Sequence, residues 1–531
     1  MDRSLSLRQS GADGVDAVNF LKKLFGADGG AETQSVILLR QVPIRYDEPA
    51  RSWLGGLPRL PEDVAWPRSQ AGAPLQFVAQ VCCADLPKGM WGGIGPRDGW
   101  LLLFVDCYSL HDILRNGTVQ VLHMLKLGPE REPPEDMGTC RNAMLDHIDY
   151  SLPVVRPGIP KMWRRWPVDV IVQDVPEPFE YDGEMILAPN PVDPAALYGA
   201  PAADPERGLS LTEAEGARPL TWRGVLYLLD QIAHGLGRQA SSQSYKVKSL
   251  EVADTTLPDR FPAGWVALAL DQRKVELARY AKPLPEWESR AEALSNQGDT
   301  PVEALRKLEY SIKERKRDLK GQAETIALLE AYGAADADAA FSLDVVRAEH
   351  SYFAWIQAMQ QLVAEVRAEV QRKDLDQVLT EADWMPIRDR LTASTSVTWY
   401  LQDERHLALR IRHGLLPEAS NPMDMALRED ALDLYTRDAA ARAALPQTLL
   451  DELEPQARRI GFRNIPHRMG GPRDMVQDSE VQDDWMLLFQ IFSDDPMGWR
   501  WADVGGLFVF LPVDDLKAGR FDAVEAWVEG G

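Results

Sequence analysis

Two stretches near opposite ends of the chain carry the same unusual strand: LQFVAQVCCAD (75–85) and WMLLFQIFSDD (485–495). Each places a glutamine, Gln80 or Gln490, inside an apolar run. Val81 or Ile491 follows it, and Asp85 or Asp495 closes the block without a gap. Upstream of each lies a double glycine, Gly55–Gly56 in LGGLP (54–58) and Gly470–Gly471 in MGGPRD (469–474). Downstream comes a second apolar strand, GWLLLFVD (99–106) or GGLFVFLP (505–512). Three matched blocks in one order imply an internal duplication, so the main sheet must be built from both chain ends. A buried amide left unsatisfied costs about 1–3 kcal/mol. An amide present in both halves is therefore expected to be structural first, tying the glycine loops to the sheet or meeting its twin near a pseudo-twofold axis. A ligand-holding role is the alternative.

The rest of the pattern fits that plan. Strand-like runs occupy 35–46, 75–83, 99–106, 118–127 and 167–175, and short connections between several of them point to an antiparallel sheet. Prolines crowd 51–74 and favour an ordered, extended loop there. Strand character returns at 485–493 and 504–512. Between the ends the pattern turns helical: 221–237 reads as an apolar helix stopped by glycine, and 264–460 carries almost no strand signal. Thr300, Pro301 and Glu303 supply a cap, a first helical position and a capping box. Apolar residues from Leu305 to Leu329, and again from Tyr352 to Val370, recur at helical spacing, with Arg315 and Gln322 interrupting the first series. Two such helices predict an antiparallel αα-hairpin over about 300–372. The expected organisation is a helical segment at 1–34, one half of a β module at 35–220, a helical insertion at 221–460 and the second half at 461–531. The fold class is α+β, a duplicated, mostly antiparallel β module with a large α-helical insertion.

Bulk properties exclude several roles. The longest apolar run, Trp100–Val105, is too short to span a bilayer, and MDRSLSLRQSGADG has no apolar stretch of signal-peptide type. Four cysteines in 531 residues are too few for a disulfide scaffold. The expected location is cytoplasmic. A net charge of −23 repels phosphate backbones and anionic lipid, which argues against nucleic-acid and membrane partners and favours a basic protein partner.

The blocks GGLPRLPEDVAWP, LQFVAQVCCADLP and GWLLLFVD, with HRMGGPRD, LLFQIFSDD and WRWADVGGLFVFLPVDDLKAGRFDAV, resemble the two halves of the YwqG-like family. The resemblance spans roughly 35–180 and 460–528. It implies an α+β domain of unknown function, rich in antiparallel strands, in which the helical stretch is an insertion. Some relatives sit beside secreted-toxin genes, so the resemblance also implies neutralisation of a toxin. It brings no catalytic residues.

Chemistry is sparse. No histidine pair has metal-ligand spacing; His406 and His413, seven apart, are read as two turns apart on a helix. Adjacent Cys82 and Cys83 read as buried small hydrophobes. GGIGPRDG (92–99) precedes a strand rather than a helix, so it reads as a turn and not as a phosphate loop. No metal and no cofactor is expected. One loop, SDDPMGWRWADVGG (493–506), gathers Asp494, Asp495, Trp499, Arg500, Trp501 and Asp503, and its N-terminal counterpart DVAWPR holds Trp66 and Arg68. Carboxylates beside aromatics suit a glycan-binding or hydrolytic site and equally a folded loop that covers a core. The basic cluster KMWRRWP (161–167) is the only short segment suited to gripping an anion. The leading expectation is a non-enzymatic protein-binding protein that neutralises a toxin; the alternative is a small-molecule or glycan-binding enzyme using the loops around Trp66 and Asp503.

Overall fold

The computed structural model describes residues 34–106, 118–138, 162–175, 179–181, 184–186, 192–203, 209, 217–233, 235–237, 260–261, 263–296, 302–335, 341–342, 352–392, 395–403, 406–413, 421–461, 464–474, 484–502 and 504–530. The strands in chain order are β1 (Gln34–Arg40), β2 (Trp53–Leu54), β3 (Gln76–Cys82), β4 (Trp100–Val105), β5 (Val119–Met124) and β6 (Trp166–Asp174). They continue with β7 (Phe179–Tyr181), β8 (Glu184–Ile186), β9 (Arg260–Phe261), β10 (Phe341–Ser342), β11 (Thr395–Asp403) and β12 (His406–His413). The last four are β13 (Arg468–Met469), β14 (Trp485–Phe492), β15 (Gly506–Pro512) and β16 (Glu525–Glu529). The segment 15–25, read as a helix, lies outside the described residues.

Ten strands form one antiparallel sheet in the order β16-β15-β14-β13-β1-β6-β2-β3-β4-β5. The order mirrors itself about the central pair β1–β6, with β2, β3, β4 and β5 answering β13, β14, β15 and β16. Because every strand alternates its faces, one side of each half packs in its own cluster while the other joins a core shared by both halves. It takes Val78, Val81 and Leu103 from one half and Leu488, Leu507 and Val509 from the other.

The mirrored order extends to single residues. Gln80 faces Trp53 on β2 and Leu102 on β4, while Gln490 faces Arg468 on β13 and Phe508 on β15. Trp53 and Arg468 each stand two residues before the double glycine. A register shift interrupts each strand pair at the same distance from the glutamine, between Phe77 and Ala79 and between Leu487 and Phe489. All four loop glycines have positive φ, from 59° to 74°, a conformation only glycine adopts without cost. At Gly55 a β-carbon would also come within 2.2 Å of the Arg164 carbonyl oxygen. In each half the glutamine Oε1 then accepts the amide four residues past the first glycine, Arg59 N at 3.3 Å and Asp474 N at 2.8 Å. Both side chains are fully buried. Their remaining chemistry differs: Gln490 Nε2 donates to Asp474 Oδ2 and to the Pro466 carbonyl, while Gln80 Nε2 has no acceptor among the described residues.

The chain divides into two compact units, 1–223 with 427–531, and 224–426. The second unit ends at Ala426, whereas the sequence places the return to the β module at 461. The helix Gln447–Ala457 buries Leu449, Leu450, Leu453 and Ala457 in the sheet's core, joined by Leu427, Ala431 and Tyr435 of the helix Asn421–Arg437. In the second unit the helix Val302–Ala335 lies against Ala263–Ala281 and Leu284–Ser295, whereas the sequence pairs it with the helix Tyr352–Val370. The two residues that interrupt its apolar series explain the choice. Arg315 covers the rings of Tyr280 and Trp287, and Gln322 accepts a hydrogen bond from Arg273. Lys274–Glu330 and Lys316–Glu288 ion pairs flank them. Tyr352–Val370 lies against β11 instead. The hairpin β11–β12 is a further correction, since 264–460 reads as nearly strand-free. His406 and His413 therefore sit at the two ends of a strand, not on a helix.

The unequal satisfaction of the two amides gives a measurable asymmetry. Gln490→Leu strips partners from Asp474 and Pro466 and is expected to cost about 1–3 kcal/mol. Gln80→Leu loses one long hydrogen bond and removes an unsatisfied donor, so it should cost less than half as much. Urea unfolding of the two variants beside the wild type checks the ratio.

Candidate functional site

The loop between β14 and β15 is shaped by its own polar atoms. Asp494 Oδ1 accepts from Met497 N at 3.4 Å at the start of a short turn, Asp495–Met497, and Gly498 closes that turn at φ 70°. Asp494 and Trp499 exchange backbone hydrogen bonds at 2.9 and 3.0 Å. Ser493 Oγ accepts from Trp501 N at 2.8 Å and donates to the Gly505 carbonyl at 2.9 Å. Ala502 and Val504 are held at φ 48° and 63°. Such backbone costs on the order of 1–3 kcal/mol per residue and clusters at ligand and switch sites.

Asp494 is the electrostatic centre. Its Oδ2 receives Arg40 Nε at 3.1 Å and His467 Nε2 at 2.9 Å, all three side chains being buried. His467 Nδ1 accepts the Phe492 amide at 3.2 Å, so the proton on Nε2 faces Asp494. Burial alone would raise the Asp494 pKa; the Arg40 charge and the His467 hydrogen bond outweigh it and hold the carboxyl below its ordinary range. Arg40 is fixed in turn by the Arg459 carbonyl and by the Trp166 ring, 4.9 Å away.

Beside this centre opens a pocket of about 210 Å³. Arg459, Asp495, Trp499, Arg500 and Val504 line it, and Arg459 Nη2 meets Asp495 Oδ2 at 3.2 Å. Asp494 borders the pocket with both oxygens committed to the fold, whereas the Asp495 side chain is 62% exposed.

The structure brings some of the expected residues together and separates others. Trp499 and Trp501 pack with Trp163, ring centroids 5.8–6.3 Å apart, and are buried in the main core. Trp66 belongs to a different cluster, edge-on to Phe104 at 5.7 Å, with its Nε1 donating to the Leu75 carbonyl. Arg68 pairs with Asp136 at 2.7 Å. A sugar-stacking surface needs an exposed ring face, and these three indoles are 2–7% exposed. Asp503 lies outside the described residues. The basic cluster is a strut rather than an anion grip: Arg164, fully buried, donates to the Pro496 carbonyl at 2.7 Å and pairs with Glu429 and Asp433, while Arg165 lies over Trp53. The glycine-rich 92–99 segment is a turn whose neighbour Trp91 donates Nε1 to the Leu487 carbonyl. Among the described residues no three His, Cys, Asp or Glu side chains are grouped to hold a metal, and no helix is long and apolar enough to cross a membrane.

Arg40, His467 and Arg459 escaped sequence reasoning. The available signal was a charge closing the apolar run SVILLR, which has no reason to be there unless paired. Asp430, on the helix Asn421–Arg437, escaped it too. It is completely buried and accepts from Leu220 N, Thr221 N and Thr221 Oγ1 at 2.6–2.8 Å. Burial pushes its carboxyl up to about 7 against these hydrogen bonds, with Asp433 adding to the rise.

A family model described as a domain of unknown function, DUF1963, matches residues 52–152 and 328–529, more than half of the chain. No curated protein matches it.

Asp494→Asn would leave Arg40 buried beside a neutral partner and should cost about 3–5 kcal/mol. Asp495→Asn breaks only a partly exposed pair and should cost under about 1 kcal/mol. Thermal unfolding of both variants separates the two. For Asp430 the sign follows from proton binding. The unfolded chain releases this proton near pH 3.9, to within about half a unit, and the folded chain near 7. Its stabilising contribution is therefore complete below the lower value and is lost as pH rises to the upper, at up to about 1.4 kcal/mol per unit. The stability difference between wild type and Asp430→Asn should fall from about pH 5 to 7 and be flat above about 8, read from urea midpoints.

Proposed function

We propose that this chain, which belongs to the DUF1963 family of unknown function, is a non-catalytic binding protein that recognises a basic protein partner. The observation that carries the reading is the commitment of Asp494. A general acid or base needs a pKa near the working pH and reach to a substrate. Asp494 is instead held ionised, buried and bonded to Arg40 and His467. The carboxylate that the same loop turns to solvent is Asp495, 62% exposed beside its partner Arg459.

The net charge of −23 supports a cationic partner, because attraction between opposite fields speeds encounter without adding contacts. The likeness of the end blocks to the YwqG-like family, some of whose members neighbour secreted-toxin genes, supports a toxin as that partner.

The test begins with the tagged full-length chain as bait in its native host, followed by surface plasmon resonance on whatever protein it captures. Screening shortens from about 10 Å at 0.1 M salt to about 3 Å at 1 M. The association rate should therefore fall at least tenfold across that range while the dissociation rate stays within about twofold. Asp495→Lys should slow association further if the loop faces the partner. A salt-independent association rate, or turnover of any substrate abolished by Asp494→Asn in a folded protein, would overturn the reading.

A further inference from the structure

The pocket beside Asp494 has a composition of which the protein-binding reading uses only Asp495. It presents both signs of charge within a small volume: Arg459 on one side of the ledger, Asp495 on the other. Asp494 adds little, because Arg40 and His467 already face its Oδ2. About 210 Å³ is room for roughly seven waters, well below the 300–1,000 Å³ typical of sites for drug-sized ligands. Trp499 forms part of the wall, and its buried Nε1 has no acceptor among the described residues. Val504, also in the wall, is a β-branched residue at φ 63°, and Ala502 just before it is at φ 48°. Backbone of this kind persists only where the surroundings over-determine it, and ligand clamps are among the places where it gathers.

We propose that this pocket binds a small zwitterion of the amino-acid class, its carboxylate on Arg459 and its ammonium on Asp495. Charge selects the class. A net anion would be opposed by the field of a chain at −23, and a net cation would meet the Arg459 guanidinium. A carboxylate and an ammonium one carbon apart answer both signs at once. The site is held ready by the Arg459–Asp495 pair at 3.2 Å. A zwitterion entering between them replaces one partly exposed ion pair with two, so neither side chain is left uncompensated. Guanidinium offers a carboxylate two parallel donors, which suits Arg459 to orienting the ligand. The inference is independent of the protein partner proposed above, since it requires no second macromolecule.

The experiment is a thermal-shift screen of the full-length protein with each of the twenty protein amino acids at millimolar concentration, followed by calorimetric titration of those that stabilise it. Acetate, methylammonium and inorganic phosphate serve as single-charge probes. At least one amino acid should titrate saturably, with acetate and methylammonium at least tenfold weaker. Asp495→Asn and Arg459→Gln should each weaken it at least tenfold, with the unliganded Asp495→Asn protein still folded. Asp495 is largely exposed, so the Asn variant keeps the test valid even if Arg459→Gln unfolds. Acetate or phosphate binding as tightly as the best amino acid would overturn the proposal in favour of a plain anion site. Saturation by no amino acid, or an affinity unchanged in Asp495→Asn, would overturn it outright.

Discussion

The buried contact of Arg40, Asp494 and His467 is the joint on which the sheet unit depends. Arg40 ends β1 at the centre of the sheet, His467 precedes β13, and Asp494 follows β14, so one carboxylate ties the central strand to the C-terminal half. The Arg40 guanidinium also takes the Arg459 carbonyl, just past the helix Gln447–Ala457, which fixes that helix to the same point. Arg164 does the corresponding work from the other side of the centre, reaching from just before β6 to Pro496 and to the acidic side chains of the helix Asn421–Arg437. Two buried arginines thus hold the middle of the mirrored sheet. Buried charges of this kind add little net stability over a well-packed apolar core, but removing one partner is severe. Their effect is to specify which loops and helices meet.

Around that joint the two halves share a backbone and differ in side-chain chemistry. Both use a double glycine at positive φ, a glutamine Oε1 that accepts the amide four residues past the first glycine, and a register shift at the same place in the strand pair. In the C-terminal half that fourth residue is Asp474, which also answers the amide nitrogen, and the cross-strand neighbour is Arg468. In the N-terminal half the same two places hold Arg59 and Trp53, and Arg165 lies over the Trp53 ring. One half closes its glutamine with a polar network, the other with an aromatic surface. The backbone geometry demanded the glycines and the Oε1 contact in both; nothing demanded the rest.

The strands of the sheet and the double-glycine loops were legible because their causes are local. Alternation of apolar residues and glycines before a glutamine strand can be read wherever they fall. The β11–β12 hairpin was legible as well, since Val397, Trp399 and Leu401, then Leu407, Leu409 and Ile411, alternate at a period of two. The partner of Val302–Ala335 was harder to foresee. Helical periodicity tells which face is apolar, not which neighbour covers it, and Arg315 counts as a flaw until Tyr280 and Trp287 are seen beneath it. The candidate site shows the same limit: Asp494, Asp495 and Trp499 stood out as a cluster, while Arg40 and Arg459 come from distant parts of the chain.

By itself the sequence determined that this chain carries a duplicated β module, that helices interrupt it, and that its charge is strongly negative. Those properties follow from spacing, composition and repeated blocks, all of which survive without a partner. Tertiary structure decided what each polar residue is for. Asp494 and Asp495 are neighbours of identical chemistry, yet one is sealed by Arg40 and His467 and the other stands 62% exposed beside Arg459. A carboxylate's role depends on which charges approach it and how much water remains, and both are set by segments outside its own loop, from Arg459 and His467 to Arg40 at the far end of the chain.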